Sequence, residues 1–313
     1  MDIHNLEQIK QEFSGFQQEF ENGNKEKALE KLLELLDALE KADTSRRAAQ
    51  IDKDGNVTLS PKIPAGKPAT EKSAEDGTGE SQPLYMSLNH VMEYYIFAYY
   101  FQPATEVRCT DIPYGEYYRT YGQLALSMQK YNGAKKAYER AIAWNPVDLD
   151  AYLGLAEVYK YQNQREKYLT VTKQAYRYCC TRATMARYYR NMAFYYLSGY
   201  EPETARACYQ YSNVYYHTEN ADSELKYISE AIQQETPQTD IRAIQKLFDE
   251  KQIEPGPDSQ TIGIVYKVGE ILLKDGDYKL AKDCYSIVYD ITQDAAAEKM
   301  LNELEAAISG SEE

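Results

Sequence analysis

Three histidines, His4, His90 and His217, and five cysteines are the residues of this 313-residue chain best suited to nucleophilic, acid–base or metal chemistry. The histidines fall in unrelated segments, and no GxSxG, HExxH or GxxxxGK run accompanies them. Cys179 and Cys180 are adjacent, but vicinal side chains on a helix point in different directions and make no tetrahedral site without a second Cys/His cluster. They read as small buried residues. The string DKDGN offers carboxylates to calcium, yet Gly55 comes at the fourth position from Asp52, where an EF-hand loop needs glycine at the sixth, and Pro61 follows. A short hairpin around Asp54-Gly55 is expected instead. No catalytic residue, metal ligand or cofactor is therefore expected.

The bulk composition narrows the partners. With 49 acidic and 35 basic residues the net charge is −14, which repels phosphate backbones and argues against nucleic acid. The first twenty residues lack the apolar core and cleavage site of a leader, and no run of eighteen apolar residues occurs. Five cysteines, an odd number without CxxC spacing, suit a reducing compartment. A cytoplasmic protein with no membrane insertion is the expectation.

The elements that must position any site are read from spacing. Tyr118 is followed by Tyr121-Gly122 and Ala125, then, past a turn at Asn132-Gly133, by Ala134, Tyr138, Ala141 and Pro146. Tyr152, Leu155-Ala156, Tyr159 and Ala175 repeat this 34 residues on, and Tyr189, Met192-Ala193, Tyr196, Ala205, Tyr209 and Ser212 after 37 more. Val265, Val268-Gly269, Leu272, Ala281, Tyr285 and Val288 give a fourth copy. Apolar residues at i, i+3, i+4 and i+7 within each half indicate stacked helix–turn–helix units. Gly122, Ala156, Ala193 and Gly269 remove bulk where two helices approach.

This pattern resembles the tetratricopeptide repeat (TPR) family over roughly residues 115–296, most closely in the first unit. Only that unit has the closing proline, Thr172 stands where an aromatic is expected, and the third unit has three extra residues before it. The resemblance implies an all-α, TPR-like right-handed α-solenoid and protein–protein interaction through a concave groove.

The chain divides as follows. Residues 1–43 read as a helical hairpin, with Phe13, Phe16 and Phe20 on one helix and Leu29, Leu32, Leu33, Leu36 and Leu39 on the other. Residues 44–83, rich in proline and glycine, read as a flexible, disordered low-complexity insert. Residues 84–114 hold an apolar bridging helix from Leu84, expected to lie between other helices, and a loop with Pro103 and Pro113. Three TPR-like units fill 115–218. A degenerate repeat occupies 219–254, with stripes Leu225, Ile228, Ala231, Ile232 and Ile241, Ile244, Leu247, Phe248. A TPR-like unit at 255–294 precedes a capping helix and acidic tail at 295–313, with Met300, Leu301, Leu304 and Ile308 inward.

The stripe beside the packed positions of each first helix defines the candidate groove. It holds Arg119, Gln123 and Leu126, then Leu153, Glu157 and Lys160, then Arg190 and Phe194, with Arg187 one turn earlier. Arg119, Arg187 and Arg190 make a basic spot suited to a carboxylate or acidic side chain; solvated or tyrosine-stacked arginines are the plainer reading. Some TPR proteins grip a C-terminal carboxylate with Lys and Asn, a second Asn, then Lys and Arg. The matching places here hold Arg119 and Gln123, Gly154, then Arg187 and Asn191, so the resemblance implies a groove for a protein or peptide, not that clamp. The 31 tyrosines either pack between helices or line the groove; the repeat positions account for many of them. A peptide-sensing regulator and an enzyme with an unrecognised site are the alternatives.

Overall fold

The structure, a computed structural model, describes residues 5–43, 45–54, 56–59 and 83–310. Two compact units, Met1–Gln162 and Asn163–Glu313, make up the chain. The expected helical-repeat architecture is present, with fourteen helices among the described residues.

The first unit opens with α1 (Leu6–Glu21) and α2 (Lys25–Ala42), joined at Gly23, whose φ of 80° needs glycine. Phe16, Leu29, Leu32, Leu36 and Leu39 are buried as expected, together with Ile9 and Leu35. Phe13 instead stacks on Tyr117 at 4.3 Å, and Phe20 and Leu33 are exposed. Strands β1 (Ala49–Ile51) and β2 (Val57–Leu59) pair antiparallel across the expected turn. Asp52 folds that turn by accepting from the backbone of Asp54 and Asn56 at 2.8 and 2.9 Å. The part of the expected insert at 45–59 thus carries structure, with Ala48 and Ala49 buried. Residues 60–82, and the acidic tail at 311–313, lie outside the described residues.

The apolar segment from Leu84 departs from expectation. Leu84–Met86 is a strand, β3, pairing parallel with β4 (Val107–Cys109), and only Val91–Phe101 is helical, as α3. The helix is not enclosed: Ile96 and Phe97 face inward, whereas Val91, Tyr94 and Tyr99 are exposed. Helices α4 (Tyr114–Ser127), α5 (Tyr131–Trp144) and α6 (Leu149–Tyr161) complete the unit. The α4–α5 turn lies at residues 128–130, with Gln129 left-handed at φ 58°; Asn132 and Gly133 are already in α5. Tyr138 is buried between two glycines: a Cβ on Gly122 would meet its ring at 2.9 Å, and one on Gly154 at 2.3 Å.

The second unit contains α7 (Arg165–Tyr176), α8 (Arg182–Ser198), α9 (Pro202–Tyr215), α10 (Glu219–Ile232), α11 (Ile241–Lys251), α12 (Ser259–Lys274), α13 (Tyr278–Thr292) and α14 (Ala295–Gly310). The division at Gln162 falls between α6 and α7, so the second sequence repeat gives one helix to each unit. In α10 and α11, Ile228, Ile244 and Phe248 are buried, but Ala231 is exposed. On α14, Leu304 joins Ala281 and Tyr285, with Met300 and Leu301 packed against them.

The glycine contacts set a stability contrast. Gly154→Ala is expected to destabilise the protein by about 1–3 kcal/mol through overpacking against Tyr138. Gly263→Ala, on α12 with nothing within 4 Å of its added carbon, is expected to stabilise by about 0.5–1 kcal/mol. Urea unfolding of both variants measures the difference.

Candidate functional site

In the first unit the candidate groove residues separate into engaged and open ones. Arg119 on α4 is engaged. Its Nη1 donates to both carboxylate oxygens of Asp148 at 2.8 Å, and its Nη2 donates to Asn89 Oδ1 at 3.0 Å. Asp148 is the N-cap of α6 and also accepts from the Ala151 backbone at 3.1 Å. A helix start needs an acceptor there, and a carboxylate so deeply buried needs a cation. Arg119 therefore leaves the expected basic spot. Leu153 is also excluded, since it is 1% exposed and part of the core. Gln123 is exposed, Leu126 is half-buried, and Glu157 and Lys160 are partly exposed and 4.0 Å apart.

The sequence reading missed the rest of this buried network. Glu93, in the first turn of α3, accepts from the backbone and side chain of Asn89 at 2.7 and 3.0 Å, and from Asn145 Nδ2 at 2.8 Å. Burial pushes the Glu93 carboxyl above its usual range against these hydrogen bonds. Burial also pushes Asp148 up, with Arg119 opposing. The available signal was Asn145-Pro146-Val147-Asp148 directly before a helical pattern, which is an N-cap signature. Reading residues 84–101 as one helix hid Asn89 and Glu93.

In the second unit, Arg187, Arg190, Asn191 and Phe194 lie on α8. Spacings of three and four residues put Arg187, Arg190 and Asn191 on one helix face. Arg190 Nη1 and Asn191 Nδ2 are buried without an acceptor, and Asn191 is only 6% exposed. Burial, then the neighbouring Arg187, lowers the Arg190 guanidinium below its ordinary value. Neither arginine has an ion-pair partner among the described residues. Phe194 meets Tyr168 edge-on at 5.4 Å, and the Tyr168 hydroxyl donates to the Asn191 carbonyl at 3.0 Å. The face is thus rich in donors and short of acceptors.

The tyrosines largely serve packing, though their hydroxyls are often paired inside rather than at the rim. Tyr152 donates to the Pro146 carbonyl at 2.9 Å, and Tyr189 to that of Glu254 at 2.8 Å. Tyr189 also stacks with Tyr215 and Phe248 at 5.7 and 5.6 Å. None of the five cysteines forms a disulfide; Cys179 is buried and Cys180 half-buried. Among the described residues no cluster of His, Cys, Asp or Glu could hold a metal, and no helix is long and apolar enough to cross a membrane.

Two outcomes follow from the first-unit network. Asp148→Ala strands Arg119 and is expected to destabilise by about 3–5 kcal/mol in chemical unfolding. Because the folded-state value of Glu93 is raised, the folded chain takes up a proton before the unfolded chain does. Its contribution to stability therefore rises as pH falls from neutral toward 4.5, by at most about 1.4 kcal/mol per pH unit. Glu93→Gln should lack that part of the rise in a pH series of unfolding curves.

A tetratricopeptide repeat family model matches residues 115–148, which are α4, α5 and the connection to α6. No curated protein matches the chain. Among solved structures, the APC/C hetero-tetramer Cut9–Hcn1 is similar at 13% identity and a TM-score of 0.35, over 63% of this chain and only 38% of that one. YrrB, described as a TPR protein with an unusual peptide-binding site, shares 14% identity at a TM-score of 0.32, covering 60% of this chain and 91% of its own. The MamA protein shares 12% identity at 0.27, covering 63% and 88%. The matched segment coincides with the α4–α5 hairpin and its glycine-seated Tyr138, so the likeness of this chain to the tetratricopeptide repeat family lies in that hairpin.

Proposed function

We propose that this chain is a non-catalytic protein–protein interaction module whose second unit receives an acidic group, a side-chain or C-terminal carboxylate, of a partner segment. Arg187, Arg190 and Asn191 supply the donors. The observation that carries this reading is the pair of buried donors, Arg190 Nη1 and Asn191 Nδ2, left without acceptors on one face of α8. An unsatisfied buried donor costs about 1–3 kcal/mol, more when charged, and an incoming carboxylate removes that penalty. Phe194 offers an apolar neighbour for the segment. In the first unit, Gln123 and Leu126 are the groove residues that stay accessible to a partner segment. Five cysteines outside any disulfide support action in a reducing, cytoplasmic compartment.

The test is capture of partners from native lysate by the full chain and by the Arg187→Glu, Arg190→Glu double variant. Each charge-assisted hydrogen bond contributes about 1.5–3 kcal/mol, so retention of the principal partner is expected to fall at least about tenfold. Unchanged capture, with the circular dichroism spectrum preserved, would count against the assignment.

A further inference from the structure

The second unit also holds a polar cleft of 790 Å³, bounded on one side by the end of α7 and on the other by residues 252–259. The two sides differ in sign. Lys173 and Arg177, one helical turn apart, form a cationic wall, and Glu254 and Asp258 an acidic one. Neither Lys173 nor Glu254 has an ion-pair partner among the described residues, whereas Asp258 already accepts from the Gln260 and Thr261 backbone at 2.9 and 3.1 Å as the N-cap of α12. Tyr176 and Tyr188 complete the lining, their rings 5.1 Å apart. Tyr188 is 2% exposed, yet its hydroxyl has no hydrogen-bond partner among the described residues. A buried phenol that lines a cleft and donates to nothing is an open hydrogen-bonding position.

The walls are also fixed in place. The Tyr189 hydroxyl donates to the Glu254 carbonyl at 2.8 Å and accepts from the Gly256 backbone at 2.7 Å. Gly256 turns the loop at φ 96°, between Pro255 and Pro257. The Thr261 hydroxyl donates to the Arg177 carbonyl at 2.6 Å, tying the start of α12 to the end of α7. A ligand then finds the gap already formed, with little ordering needed on binding.

We infer that this cleft takes an extended peptide segment carrying one acidic and one basic side chain. The acid lies toward Lys173, the base toward Glu254, and main-chain carbonyls accept from Tyr176 and Tyr188. A segment of one charge sign meets repulsion at one wall, so the cleft selects for mixed charge as well as for peptide. This rests on the reading of the chain as a binder of protein segments and adds a specificity to it.

The experiment titrates the full chain, with isotope-labelled tyrosine rings, against acetylated and amidated peptides in which Glu and Lys are separated by one, two or three glycines. Glu/Glu, Lys/Lys and Gln/Gln peptides of the same lengths serve as comparisons. At least one mixed peptide is expected to shift the Tyr176 and Tyr188 signals and to bind about tenfold more tightly than the like-charged ones. Tyr188→Phe removes an unpartnered hydroxyl, should fold normally, and should weaken that binding by about threefold to tenfold. Lys173→Glu should turn the preference toward the Lys/Lys peptides. The inference is overturned if no mixed peptide moves either ring, or if like-charged peptides bind as well. If the cleft fails in this way while charge reversal on α8 still abolishes partner capture, the interaction reading survives without it.

Discussion

The first unit depends on how closely three helices approach around one ring. Tyr138 of α5 is buried, with Gly122 of α4 and Gly154 of α6 both close against its ring. Neither position has room for a methyl group. The ring therefore fixes the spacing of α4, α5 and α6 together, and the register of every other side chain on those helices follows from it. The same device recurs in the second unit, where a Cβ on Gly269 would lie 3.1 Å from Tyr285. Small residue against large ring is what a hairpin too thin to have a deep interior can use to hold its neighbour.

Charge is treated differently in the two units, and the difference separates structural from available arginines. In the first, Asp148 must accept at a buried helix start, and Arg119 is drawn in to neutralise it. That guanidinium is engaged by Asp148 and Asn89. Among the described residues, Arg187 and Arg190 on α8 have no ion-pair partner, and the buried Asn191 amide beside them donates to nothing. On the proposed reading, a partner's carboxylate supplies the acceptor that these donors lack.

Much of this was legible in the sequence because the repeat constrains residue size at fixed intervals. Gly122, Ala156, Ala193 and Gly269 mark the close approaches, and Ala156 and Ala193 are indeed fully buried. Position 154 was legible only as a missing asparagine; its role as the tightest seat for Tyr138 depends on the angle between α5 and α6, which periodicity does not encode. The start of α3 was misplaced because Leu84–Met86 is apolar whether it is helix or strand, and its partner β4 lies beyond a helix in sequence. Arg119 looked available for the same kind of reason. Its partner is 29 residues away, and hydrophobic pattern says nothing about which charges meet.

The most direct test of the account is the hydrogen-exchange footprint of a captured partner on the full chain. Slowed exchange concentrated in residues 187–194 of α8, and absent from the buried Arg119–Asp148 neighbourhood, is the predicted result. Unchanged exchange across α8 with protection confined to other helices would contradict it.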